Sequence, residues 1–283
     1  GIDTNWMKKS GSCFTRDELD SLKPEPGSSL IHLNALGDFE IYGANRNGDA
    51  FLEKAGFITI ENPLPNEPNR IFIKAGNIES HNTFVKFGRV YREHDHDCVT
   101  KSFGPVVKSA HNNAMKRVEL IIQVPNDLFA SELNKIASGR ANEVAWSMSC
   151  KVPYDICSYC GNKAPSVKDY CVHAKEQMLN ITKKGNVICV VNDGMKFFDI
   201  SHVRKPADRT ALTMRKVAGL VMEPSGAELA QLLGLKTPSY LFKDNPKTAT
   251  HLDRVSKLAA IEKQIPMETS DFQDVLSRPD LSD

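Results

Sequence analysis

Residues 143–175, EVAWSMSCKVPYDICSYCGNKAPSVKDYCVHAK, carry two kinds of chemistry in one stretch. The first part reads as a strand. Trp146, Met148 and Cys150 alternate with Ser147 and Ser149, which puts both hydroxyls on one face. The chain then runs through KVPY into a group of sulfur and imidazole side chains. Cys157 and Cys160 form a C-x-x-C, and the Gly161-Asn162 turn that follows lets backbone N–H groups face thiolate sulfur. Cys171 and His173 complete two close pairs. Four such ligands fit one tetrahedral zinc, and a site closed by four protein ligands leaves no position for water or substrate. One structural zinc is expected here, with the chemistry elsewhere.

Upstream and downstream of this stretch, short β-like runs dominate: LIHLNAL, FVKFGRVYRE, PVVKSAH, RVELIIQVP, NVICVVN and KFFDISHV. They alternate or run apolar over strand length, bounded by Gly, Asn, Asp and Pro. NDLFASELNKIASG is helical, with Leu128, Leu133, Ile136 and Ala137 at helical spacing, Asn126 or Asp127 as cap and Gly139 as stop. The pattern gives a mainly β fold with inserted helices (α+β), mostly antiparallel. The expected organisation is a loosely held polar tail over 1–28, a β domain over 29–217 with a zinc-knuckle insert at 153–176, and a helical region with a polar tail over 218–283.

The 283 residues are 41% hydrophobic and 25% charged, as in a globular protein, and a formal charge of +1 provides no global field to recruit nucleic acid or an anionic membrane. The chain has no apolar run of membrane-spanning length and no signal-peptide core, so a soluble intracellular protein is expected. Its first residue is Gly, which leaves open whether it is a processed or self-cleaved product. Of seven cysteines, Cys13, Cys98, Cys150 and Cys189 are scattered and read as buried free thiols in a reducing compartment.

Three segments hold candidate catalytic groups. In VYREHDHDC, His94 and His96 stand two apart; on a continuing strand both imidazoles face one side and Asp95 and Asp97 the other. Either a histidine is a general base, or the pair ligates a catalytic metal. In KFFDISHVRKPADRTA, Asp199 and Ser201 share one face, Ile200 and His202 the other. Nucleophilic catalysis needs a hydroxyl, a base in reach and a third group to orient that base. Ser147, His94 and Asp199 supply those types, with Ser149, His96 and His202 as alternates.

The order NRNGDAF, YREHDHD, FGPVVKSAHN, MKRVELIIQVP, VAWSMSCKV with its PYDICSYCGNKA insert, and FFDISHVRKPADRTA resembles the prohead (capsid maturation) serine proteases of tailed phages, distantly similar to the herpesvirus assemblins. The resemblance spans GANRNGDAF to PADRTAL, most of the β domain. It implies an assemblin-like antiparallel β-barrel, His94 as base, Ser147 as nucleophile and Asp199 as third member. A second histidine, His96, crowds the base position, and assemblins use a histidine as third member, which keeps His202 open. The implied function is a serine endopeptidase that cleaves phage scaffold and major capsid proteins inside the assembling prohead in the host cytoplasm, with no catalytic cofactor. Retention in the virion, oligomeric state and cleavage motif stay open. Relatives often cut after Glu, so a basic pocket is implied, with Arg140, Arg204 and Arg209 as candidates. A zinc-dependent hydrolase using His94 and His96, and a non-enzymatic head or scaffold component with the same fold, are the alternatives.

Overall fold

The computed structural model describes residues 12–38 and 43–219, so the expected C-terminal helices lie outside the described residues. The main sheet has seven strands: β1 (Ser28–Gly37), β5 (Arg89–Arg92), β6 (Gly104–Asn112), β7 (Arg117–Pro125), β8 (Ala145–Lys151), β12 (Lys196–Val203) and β13 (Thr213–Gly219), in the order β13-β1-β7-β6-β5-β12-β8. Every neighbouring pair is antiparallel except β5 and β12. The sheet curls. Ala145 bridges Leu212, Trp146 N–H donates to Ala211, and Thr213 N–H donates to Val144, so the edge strand β8 meets the approach to the opposite edge, β13.

This half-barrel encloses the main core. Trp146, Phe84, Phe129 and Phe197 are fully buried, with Phe84 stacked on Phe197 at 4.3 Å between ring centroids. Burying each such ring contributes roughly 1.5–3 kcal/mol. The Trp146 indole N–H donates to Thr213 Oγ1 at 2.7 Å, which removes the cost of burying it. Between β1 and β7 lies a polar group sealed from water. Glu119 accepts from Arg117 Nε at 2.7 Å and Asn112 at 2.8 Å, and lies 2.8 Å from His32. At the start of β6, a Cβ on Gly104 would stand 2.1 Å from the Gln123 carbonyl, so only glycine lets β6 approach β7 there.

A smaller four-stranded sheet packs beside the first: β2 (Asp49–Ala50), β9 (Asp155–Cys157), β10 (Lys163–Ala164) and β11 (Val190–Asn192), in the order β10-β9-β11-β2. With the hairpin β3 (Gly56–Thr59) and β4 (Arg70–Ile73) it forms a second core around Ile60, Ile73, Ile156, Cys189 and Val191. Thus the cysteine segment belongs to a body with its own apolar interior.

Several expectations change. FVKF is not strand but part of a short helix, Thr83–Phe87, and only Arg89–Arg92 pairs in the sheet, because Gly88 ends the helix between them. Of NVICVVN only Val190–Asn192 forms a strand, and Val187 makes an isolated bridge to Ile181. The helix of the NDLFASELNKIASG segment starts later, at Ala130, and Leu128 is exposed. The described part of the N-terminal segment is docked. Thr15 and Glu18 form a capping box for a helix over Arg16–Asp20, and Phe14 and Leu19 pack on Leu30 and Ile121. Of the four scattered thiols expected to be buried, Cys189 is; Cys13 and Cys150 are half-buried and Cys98 is exposed. Among the described residues, no helix is long and apolar enough to cross a membrane.

Candidate functional site

Strand pairing puts the serines and the aspartate on one surface. β8 and β12 align Ser149 with Asp199 and Ser147 with Ser201, so all four side chains share a face, as their alternation requires. His202 aligns with Trp146 on the other face and packs against Trp146 and Phe129, near Glu132. It does not join the group.

The histidines reach Asp199 from a turn rather than a strand. β5 ends at Arg92, Asp95 N–H donates to the Arg92 carbonyl at 2.9 Å, and Glu93 and His94 have φ of 47° and 58°. Two consecutive non-glycine residues in the left-handed region cost about 1 kcal/mol or more each, so the surroundings must hold them. Ser201 Oγ accepts from the His94 N–H at 3.2 Å, and Arg204 bonds to Glu93. The turn folds the His94 ring back over β12. The strand expectation of two imidazoles on one side fails in detail, yet both rings converge. His94 Nδ1 lies 2.6 Å and His96 Nδ1 3.0 Å from Asp199 Oδ2.

Asp199 is fully buried and well supplied with donors. Ser149 donates to its Oδ2 at 3.0 Å, and Ser201 donates to its Oδ1 at 2.7 Å. Burial alone would raise this carboxyl; the hydrogen bonds from His94 and His96 outweigh it and hold the group below the ordinary carboxylate value. Asp199 therefore stays ionised and fixes the His94 tautomer. With Nδ1 held on Asp199, Nε2 lies on the far side of the ring from the carboxylate, and the His94 side chain is 35% exposed.

The two serines differ. Ser149 Oγ lies 3.2 Å from His94 Nδ1 and gives its proton to Asp199. Ser147 makes no hydrogen bond to either histidine. It opens, with Ser149, into a cavity of about 360 Å³ whose far walls come from the smaller sheet. Sequence patterning missed these walls: Asp49, Asp155, Asn192 and Tyr170 sit on separate elements. Burial pushes Asp155 up to about 6 against the hydrogen bond from Tyr170.

None of the arginines expected to form a basic pocket lines this cavity. Arg140 pairs with Glu143 and Arg204 with Glu93 on the surface, and Arg209 lines a small neighbouring cavity beside Asp38 and Asp208.

The cysteine segment does assemble. Ligand atoms of Cys157, Cys160, Cys171 and His173 all lie within 4.8 Å of one another, with 3.5 Å between the Cys160 and Cys171 sulfurs. Gly161, at φ +78°, makes the tight turn. Backbone N–H groups of Tyr159 and Cys160 face the Cys157 sulfur, that of Asn162 faces Cys160, and those of His173 and Ala174 face Cys171. Burial opposes ionisation at all three sulfurs and pushes Cys157 and Cys160 up; at Cys171 the donors outweigh it and pull the thiol down. His173 Nδ1 is buried with no hydrogen-bond partner. A soft donor set ringed by N–H groups, with one orphaned imidazole nitrogen, fits one metal ion.

No protein-family model matches the chain, and neither a curated protein nor a solved structure matches it.

Proposed function

We propose that this chain is a serine endopeptidase of the prohead-protease kind, cutting scaffold and capsid proteins within an assembling phage head. The observation that carries the catalytic reading is the 2.6 Å contact between His94 Nδ1 and the buried Asp199 beside two same-face serines. The phage assignment rests on the resemblance of the ordered motifs alone.

In this reading His94 takes the Ser147 proton through Nε2, the alkoxide attacks the scissile carbonyl, and the imidazolium then protonates the leaving amine. Asp199 orients the ring and stabilises its cation. Ser147 is preferred to Ser149 because the nucleophile belongs at the nitrogen that the carboxylate leaves free, whereas Ser149 shares the Nδ1 edge and already donates to Asp199. In this reading the Ser147–His94 contact forms in the substrate complex, with the ring kept on Asp199, as catalytic hydrogen bonds often tighten only there. Cys157, Cys160, Cys171 and His173 would hold a structural zinc that fixes the loop after the nucleophile strand. Incubating the full chain with scaffold and capsid proteins and sequencing the new termini, beside a Ser147→Ala control, tests the function. No new termini from any head protein would defeat it and favour a non-enzymatic head component.

A second reading has its own observation. His94, His96 and Asp199 present three ligand atoms within 4.8 Å, the donor types of a hydrolytic metal site. Turnover that survives a serine-directed phosphonate and vanishes with a chelator would favour it.

A further inference from the structure

We infer that the cavity beside the serines is a specificity pocket for a basic side chain, lysine or arginine, at the substrate residue next to the scissile bond. The inference rests on the serine peptidase reading for its substrate, and on the cavity itself for its chemistry.

The cavity has the size of a ligand pocket and lies between the serine face of β8 and the smaller sheet. Among its lining residues are Asp49, Asp155 and Asp208, and no Lys, Arg or His. The three acids are not equivalent. Asp208 is occupied by the Gly37 N–H and by both donors of Thr210, each at 2.7 Å. Asp49 accepts from Asn45 at 3.2 Å. Asp155 is 2% exposed; its Oδ2 accepts the Tyr170 hydroxyl at 2.6 Å, and its Oδ1 has no partner. A buried carboxylate oxygen without a donor is an unmet demand, and because Oδ1 is closed off in this conformation a ligand N–H satisfies it when the carboxyl turns toward the cavity.

The rest of the wall suits the stem of such a ligand. Leu36, Phe51 and Val152 offer apolar surface to methylene groups, while Asp155 receives the cationic head. A carboxylate side chain would enter a space that holds three acids and no cation. The pocket therefore selects against the glutamate that the resemblance implies.

Binding and cleavage are measured separately. Binding of n-butylguanidinium and of pentanoate to the full chain carrying Ser147→Ala is followed by calorimetry, and kcat/KM of the wild type is measured on peptides that differ only in the residue before the scissile bond. The expected result is saturable guanidinium binding that weakens at least tenfold in Asp155→Asn, and a Lys or Arg preference over Ala of at least tenfold that falls toward one in the same variant. Asp49→Asn serves as second variant, with a smaller loss, should Asp155→Asn melt early. Preference for Glu, binding of pentanoate in place of guanidinium, or calcium binding at the carboxylates without guanidinium binding would each overturn the pocket while leaving the hydrolase standing. Guanidinium binding that depends on Asp155, in a chain that cleaves nothing, would support the cation site and overturn the peptidase reading.

Discussion

The histidine–serine–aspartate group on the main sheet and the cysteine segment on the smaller sheet are built on opposite terms. In the first, the demand of the buried acid is met from within the chain, since Asp199 receives donors on both oxygens. In the second, buried atoms go unmatched: His173 Nδ1 and, a few residues before the C-x-x-C, Asp155 Oδ1. A fully satisfied polar group is held rigid by its own network, whereas an unsatisfied one has capacity for an added partner; main-sheet His32 Nδ1 and Asn34 Oδ1 are also unmatched but lie on β1, away from the serine face. In the proposed reading the main sheet supplies preorganised chemistry, and the smaller sheet would receive a metal and a substrate side chain. Tyr170 would join the two, because it stands next to Cys171 in sequence and its hydroxyl donates to Asp155.

The strongest way to break this contrast is to disable the main-sheet group. Ser147→Ala should lower kcat by roughly 10⁴-fold or more, and Asp199→Asn by about 10⁴-fold, because a base without its orienting carboxylate adopts the wrong tautomer. Ser149→Ala should retain much more activity. Steady-state kinetics on one peptide ranks the three, and a dead Ser149→Ala beside an active Ser147→Ala would exchange the serine roles.

Removing the metal ligands attacks the other side. Cys157→Ser or Cys171→Ser should lower the melting temperature by about 5 °C or more and raise KM more than it lowers kcat, since the loss reaches the substrate through Tyr170 and Asp155. Elemental analysis should find about one zinc per wild-type chain. Unchanged melting in metal-free protein would refute the structural role.

A third prediction uses the sealed group around Glu119 as a second example of a satisfied acid. Burial would raise its carboxyl, but the hydrogen bond from His32 and the Arg117 charge hold it below the ordinary 4.5. Its folded value is depressed, so its stabilisation is complete above the unfolded value and is lost as pH falls through the folded one. Glu119→Gln should cost roughly 1–3 kcal/mol at pH 7 in denaturant titrations, and the gap to wild type should narrow below about pH 4. A gap that widens in acid would contradict the assignment.

The smallest effect is expected at His202. It packs on Trp146 and Phe129 across the sheet from the serines, so His202→Phe should leave kcat within about twofold and change stability by about 1 kcal/mol. A large loss of kcat would mean that the two faces are coupled.

How much of this was legible in the sequence follows from where each feature is encoded. Period-two alternation along one strand sets the shared face of Ser147 and Ser149 and the separation of Asp199 from His202. C-x-x-C with a following C-x-H is a local spacing, and its four side chains meet. The FVKF helix was hidden because a short apolar run suits a buried strand as well as a helix. The left-handed turn at Glu93 and His94 left no glycine to announce it. The acidic pocket was the least visible feature, since Asp49, Asp155 and Tyr170 come together only when two sheets pack, and a basic pocket was inferred from resemblance in its place.

The central claim is that acyl transfer occurs on the main sheet, driven by His94, and that the cysteine segment is not its chemical centre. A fluorophosphonate labelling experiment read by peptide mass spectrometry tests it most directly. One phosphonyl adduct should appear on the peptide holding Ser147, disappear in His94→Ala, and form still in wild-type protein treated with enough chelator to strip the metal but kept below its melting temperature. A folded wild-type chain that takes up no label, or labelling that persists in His94→Ala, would contradict the account.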